Sequence, residues 1–290
     1  MDPKQLNALV HDREAAAYDT RFLIEQGPRL GRELLRELRG VLGSEPKATR
    51  VLDVACGTGF AALGAAHARI APTIHGCDLS ISMLERTAAH AKAANLDLAL
   101  AACDAEALCY ADGAFDLVLA RGALHHVPDP VAMLRECRRV LTPGGALVCL
   151  AEPTPGGERQ VGAVVGRLWR SVEAVRRLRG HRPSAEDVER QQWELASMAA
   201  NLHTFTPDDL ESLATKAGFE DISVGTAWWA WVLALGINYY LAGELEQLWE
   251  RRPVRNVARG ILDAAAFLDR TVAERLVPAD RHATVWAVLR

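Results

Sequence analysis

Two glycines flank a threonine in Asp53-Val54-Ala55-Cys56-Gly57-Thr58-Gly59, and Gly57-Thr58-Gly59-Phe60-Ala61-Ala62 fits the G-x-G-x-x-A form of a loop that cradles a nucleotide. Asp78 follows at roughly the 20-residue distance where such loops place an acid for ribose hydroxyls. Asp104 adds a third carboxylate, and further along stand the adjacent pair His125 and His126 and then Glu152. A histidine in a cleft can take a proton from an acceptor O–H, N–H or acidic C–H. Glu152 can orient such a histidine or act as the base itself. The loop alone admits two kinds of ligand. A pyrophosphate wants backbone N–H groups and a helix N-terminus, and a carboxylate beside it repels it. Asp53 sits at the start of this loop. S-adenosylmethionine has no phosphate and carries an ammonium and a sulfonium, which a carboxylate suits. The acids therefore favour that ligand over a nicotinamide dinucleotide, with Asp104 where the adenine amino group would lie.

These residues need elements to hold them at one edge. Short apolar runs at Arg50–Ala55, Thr73–Cys77, Leu98–Ala102, Phe115–Ala120 and Ala146–Ala151 read as strands. Helix-like stretches at Phe60–Arg69, Ser80–Ala94 and Val131–Val140 alternate with them, and Ser80 is placed as a helix cap. Alternating elements of this kind mean βαβ units and a parallel sheet covered on both faces. Ligands of such sheets bind at the carboxyl ends of the strands. Those ends carry Asp53, Asp78, Asp104, Arg121, the His pair and Glu152. Thr206-Pro207 starts a helix that ends at Gly218, and Ile222–Thr226 and Thr284–Leu289 read as two further strands.

The chain resembles the class I S-adenosylmethionine-dependent methyltransferases, in the methyltransferase type 11 branch that contains the ubiquinone and menaquinone C-methyltransferases. The residues that carry the resemblance are Val51–Phe60 (VLDVACGTGF), Gly76–Ser80 (GCDLS) with Met83, Cys103–Glu106 (CDAE), Phe115–Val118 (FDLV), Ala123–Val127 (ALHHV), Arg138–Gly145 (RRVLTPGG), and Ala17-Tyr18-Asp19. They cover roughly residues 15–153, and Thr206–Thr226 is similar to the family's last helix and sixth strand. The resemblance implies an α/β fold: a Rossmann-like, doubly wound seven-stranded sheet with the last strand antiparallel and helical lid insertions. It implies S-adenosylmethionine as cofactor and S-adenosylhomocysteine as product. It also implies roles. Asp53, Ala55, Gly57 and Gly59, with the backbone near Arg121, hold the methionyl end. Asp78 takes the ribose hydroxyls. Leu79 and Met83 pack on adenine, Asp104 and Ala105 read its amino edge, and Tyr18 covers the cofactor. His125, His126 and Glu152 are the catalytic candidates.

On this reading residues 1–45 are an N-terminal helical cap and 46–155 the cofactor-binding core. Residues 156–205 are a helical insertion, 206–227 return to the core, 228–281 form a helical lid and 282–290 the last strand. The insertion is arginine-rich, at Arg167, Arg170, Arg176, Arg177, Arg179 and Arg182. The uncharged stretch Trp228–Gly243 falls short of the ~20 residues of a membrane span. It is expected to be a lid over an apolar or lipophilic acceptor, with Trp228, Trp229 and Trp231 as interfacial anchors the other reading. The expected function is in-line methyl transfer to a small acceptor; an NAD(P)-dependent oxidoreductase and a non-catalytic cofactor-binding module are the alternatives.

Composition sets outer limits. Half of the 290 residues are hydrophobic and 24% are charged, which excludes a disordered chain. A net charge of −4 argues against a protein that coats nucleic acid. The charged N-terminal residues show no secretory signal. No C-x-x-C pair or Cys/His cluster has metal spacing, so no metal is expected. The six cysteines are read as reduced core thiols of a cytoplasmic protein.

Overall fold

The computed structural model describes residues 2–178, 200–244, 249 and 251–290. Arg179, Arg182 and the remainder of the helical reading over 179–199 lie outside the described residues, as do 245–248 and 250 of the expected lid. Helices α1 (Pro3–Arg21) and α2 (Pro28–Leu42) precede the first strand, β1 (Arg50–Val54). Next come α3 (Phe60–Ala68), β2 (Thr73–Asp78), α4 (Ile81–Ala94), β3 (Ala99–Ala102), β4 (Phe115–Arg121), α5 (Pro130–Val140) and β5 (Leu141–Pro153). The C-terminal half holds α6 (Pro155–Leu178), α7 (Pro207–Ala217), β6 (Ile222–Ala227), α8 (Ala230–Glu244), α9 (Arg252–Leu268) and β7 (Thr284–Leu289).

The seven strands form one sheet in the order β3-β2-β1-β4-β5-β7-β6. β1 to β5 pair in parallel, and β7 runs antiparallel to both β5 and β6. The strand order reverses between β1 and β4, the place where an open α/β sheet opens a crevice at its carboxyl edge.

Alternation along the strands feeds two apolar layers. Val51 packs with Leu34 and Leu38 of α2 and Ala61 and Ala65 of α3. Leu52 and Val54 face the other way, into a cluster with Met133 and Leu134 of α5 and Leu210 and Ala214 of α7. All three β1 residues are fully buried. Helix starts follow the local chemistry. The Ser80 hydroxyl accepts the Met83 N–H at 3.1 Å, and Thr206 with Asp209 closes a capping box on α7.

Two expectations are corrected. β5 begins at Leu141, not Ala146, because Leu141 pairs with Phe115 across a register shift that takes up Pro143-Gly144-Gly145. The six thiols are all free, but Cys109 is exposed while the other five are buried; it lies in the turn after β3 and not on a core strand.

The helices outside the sheet are tied to one another. The Asn238 amide of α8 donates to the Arg21 carbonyl at 2.7 Å, and Tyr239 donates to Glu14 at 3.0 Å. Arg259 of α9 bonds the Leu23 carbonyl and Glu33, and Asp263 accepts from Arg29 of α2. Asp269 is fully buried and caps α8, accepting the N–H groups of Trp229, Ala230 and Trp231 at 3.2, 2.8 and 2.8 Å. The Trp229 indole donates to Gln160 of α6 at 2.6 Å, and this tryptophan is half-buried. Among the described residues no helix is long and apolar enough to cross a membrane.

Candidate active site

β1 delivers the chain into a turn that few residues can make. Ala55, Gly57 and Gly59 all have positive φ, at 53°, 53° and 88°. At Gly59 an added Cβ would lie 2.7 Å from Thr87 Cγ2, so the close approach of α4 requires glycine as much as the dihedral does. At Gly57 an added Cβ would meet nothing within 4 Å, which leaves this side of the turn open to a ligand.

The acids brace the turn from below. Asp53 is buried, and its Oδ2 accepts the Ala62 N–H of α3 at 2.7 Å. Burial pushes its carboxyl up to about 7, against the pull of that N–H and with neighbouring Asp78 adding to the rise. Asp78, the last residue of β2, accepts the Gly57 N–H at 2.8 Å and the Ser80 N–H at 2.9 Å. Burial raises it as well. Leu79 beside it is exposed, whereas Met83 is fully buried under the Ser80 cap.

Helix α1 runs across the loops that leave four strands. Asp19 accepts the Thr58 hydroxyl at 2.7 Å in the glycine turn. Asp12 accepts the Ser80 hydroxyl at 2.5 Å after β2. Lys4 reaches Asp104 at 2.7 Å and Glu106 at 2.6 Å after β3. Asn7 donates to the His126 carbonyl at 2.7 Å after β4. Tyr18 stacks on Phe22, and Phe22 on Tyr239 of α8, at centroid distances of 4.5 and 5.2 Å. Asp104 also accepts the Glu106 N–H, and Ala105 is buried behind it. Of α1, the sequence singles out only Tyr18 as a site residue. Asp19 was adjacent to it in the same motif; nothing local marks Lys4, Asn7 or Asp12.

β5 ends at the groups that hold the His pair. Glu152 is fully buried. Its Oε1 accepts the N–H groups of Ala123 and Leu124 at 2.9 and 3.0 Å. Its Oε2 accepts the His125 N–H at 3.1 Å and lies 2.8 Å from His125 Nδ1. An ionised Glu152 assigns the Nδ1 proton to that bond and leaves the Nε2 lone pair free for other work. The two histidines part here. His126 points its Nδ1 at the Ala200 carbonyl, 3.1 Å away, and packs edge-on against His11 of α1. Burial holds the His126 ring well below the ordinary histidine range, with His125 and His11 adding to the effect. Arg121, at the end of β4, is fully committed: it makes a double hydrogen bond to Glu37 and stacks on Phe60 at 3.9 Å. Its cation is therefore already neutralised and is not offered to a phosphate.

A parallel sheet closed by an antiparallel last strand, a ligand-ready glycine turn and carboxylates on the first strand ends together define a class I S-adenosylmethionine-dependent methyltransferase. The same assignment comes from comparison, since residues 52–149 match the family described as the methyltransferase domain. The protein is an S-adenosylmethionine-dependent methyltransferase, and S-adenosylmethionine is its cofactor. It is 27% identical over 205 residues to the ubiquinone biosynthesis O-methyltransferase of Cereibacter sphaeroides, covering 67% of this chain and 72% of that protein. It is 39% identical over 112 residues to the demethylmenaquinone methyltransferase of Staphylococcus aureus, covering 38% of this chain and 45% of that one. The fold is similar to that of Haemonchus contortus phosphoethanolamine N-methyltransferase 2 bound to S-adenosyl-L-methionine, at a TM-score of 0.56 and 20% identity. That match covers 96% of this chain, which spans only 56% of the other.

The residues present fit this cofactor. The open side of Gly57 leaves room above the turn, the carboxylates suit an ammonium and ribose hydroxyls, and no uncommitted cation stands in the turn for a pyrophosphate.

Proposed function

We propose that the enzyme methylates a hydroxyl of a small lipophilic acceptor, of the quinol or phenol class, with His125 as general base and Glu152 as its positioning partner. The observation that carries this reading is the 2.8 Å contact between His125 Nδ1 and a carboxylate that is itself locked by three backbone N–H groups. The names of the relatives, which act in ubiquinone and menaquinone synthesis, support the acceptor class. The free and mostly buried thiols support a cytoplasmic setting.

The cofactor, when bound, supplies an electrophilic methyl on sulfonium. Asp78 accepts its ribose hydroxyls with the lone pairs left over from Gly57 and Ser80. Leu79, with Met83 beneath it, packs on the adenine, and Asp104 and the Ala105 backbone take its amino edge. Asp53, Ala55, Gly57, Gly59 and the backbone of Arg121 hold the methionyl end, with Tyr18 above. The helices α1 and α8 align the acceptor and exclude water; alignment can supply ~7–11 kcal/mol of the barrier. His125 Nε2 takes the acceptor proton, and Glu152 stabilises the imidazolium that forms.

The assay is direct. The enzyme, S-adenosylmethionine and a panel of acceptors are analysed by mass spectrometry for a product one methylene heavier. Transfer to lipophilic quinols is expected. Transfer confined to polar amines overturns the acceptor class and the need for a base on a hydroxyl.

A second expectation concerns Asp53. Its carboxyl, raised to about 7, contributes stability that is complete below the unfolded value of 3.8 and is lost as pH rises through about 7. A cofactor ammonium nearby favours the carboxylate, so binding should expel a proton from Asp53 at mildly acid pH. Calorimetry near pH 6.5 should then give binding enthalpies that differ between phosphate and Tris buffers. Equal enthalpies in the two would mean that Asp53 does not meet the cofactor's charge.

A further inference from the structure

Helix α9 inverts the usual division of a surface helix. Leu262 is buried, while Val257, Ile261, Phe267 and Leu268 stand 66%, 58%, 63% and 44% exposed. At 100° per residue these four share one outward face, filled in by the exposed Gly260 and Ala264. The strip continues past the helix through Val272 and Leu276, the latter 76% exposed. A contiguous apolar strip of this kind on a chain's surface marks a site of contact.

Charge says what the contact is. Arg251 and Arg252 precede the strip and Arg270 and Arg275 follow it; all four are exposed and make no ion pair among the described residues. Leu276 also lines a groove of about 580 Å³ whose walls include Arg159, Arg281 and Trp229, with Asp280 as its one acid. Neither of these two arginine side chains has a partner among the described residues either. Apolar side chains bounded by uncommitted guanidinium groups match the interface of an anionic bilayer. There an amphipathic helix sinks its apolar face ~5–10 Å and its arginines meet phosphates. A second copy docked about a two-fold axis would instead set arginines against arginines.

We infer that α9 and the turn through Leu276 dock on an anionic phospholipid surface, with a headgroup phosphate held between Arg159 and Arg281. The groove adjoins the Trp228–Trp231 cluster, since Trp229, bonded to Gln160, is one of its walls. The docking does not depend on the acceptor assigned above. If that acceptor is right, docking also sets the helices over the site against the phase in which the acceptor dissolves.

The full chain is sedimented with vesicles of equimolar phosphatidylglycerol and phosphatidylcholine and, separately, of phosphatidylcholine alone. Binding to the mixed vesicles is expected at least about tenfold tighter, and weaker with added salt. The double variant Ile261→Asp/Phe267→Asp should lose at least about tenfold of that binding, with its circular dichroism and S-adenosylhomocysteine affinity unchanged because both side chains are exposed. Arg159→Glu with Arg281→Glu should remove the preference for anionic lipid. Wild-type protein left in the supernatant, or a double variant that sediments like wild type, overturns the inference. So does a concentration-dependent dimer in light scattering that the same double variant abolishes, since the face would then belong to a second copy.

Discussion

Replacing His125 by alanine is expected to lower kcat by about 10²–10⁴-fold, with S-adenosylmethionine affinity nearly unchanged. The asymmetry follows from the geometry. His125 is tied to the Glu152 side chain at 2.8 Å, while the cofactor-side acids Asp53 and Asp78 make their bonds to Ala62, Gly57 and Ser80. Removing the ring therefore deletes a proton acceptor without loosening the glycine turn. His126→Ala should behave differently: its ring is spent on the Ala200 carbonyl and on His11, so thermal stability should fall and kcat should hold. Full turnover by His125→Ala on the true acceptor would assign the reaction to alignment alone.

Glu152→Ala should have the largest effect on stability of any single substitution near the site. The carboxylate is fully buried and accepts three backbone N–H groups in a row, from Ala123, Leu124 and His125. Alanine strands all three donors away from water. Each buried unsatisfied group costs ~1–3 kcal/mol, so a total of about 3–5 kcal/mol is expected after local relaxation. For a chain of this size that is a fall in Tm of roughly 10 °C. Glu152→Gln keeps one acceptor oxygen and recovers part of the stability. It sets an amide N–H near His125 Nδ1, so kcat should remain low even where the fold is rescued. Thermal denaturation of both variants beside wild type decides the matter; an alanine variant that melts with wild type would show that other groups or water satisfy the loop.

Much of this was legible in the residues because the determinants are local. Short buried strands that end in polar side chains announced the parallel sheet, and Ser80 and Thr206 announced the helices that start one residue after them. The acids at the strand ends followed from the sheet. What was not legible depends on contacts distant in sequence. Thr58 and Asp19 are 39 residues apart, Ser80 and Asp12 are 68, and Arg121 and Glu37 are 84; no spacing rule ties such pairs. The two histidines are identical neighbours until a single 3₁₀ turn, Leu124–His126, sends one to Glu152 and the other toward Ala200. In α9 the helical spacing of Val257, Ile261 and Leu268 reads as a core stripe. Only the packed structure shows that Leu262 took the core position and left the stripe outside.

Helix α1 has one more consequence, for kinetics. It fastens to the loops after β1, β2, β3 and β4 through Asp19, Asp12, Lys4 and Asn7, and under the proposed reading the cofactor lies beneath it. Exchange of spent for fresh cofactor then means releasing those fastenings, one of which sets Lys4 against two carboxylates near the surface. Such contacts are screened by salt. The residence time of S-adenosylhomocysteine is thereby written into the first twenty residues of the chain, remote in sequence from every group that touches the methyl, and ionic strength becomes a control on turnover that leaves the chemical step untouched.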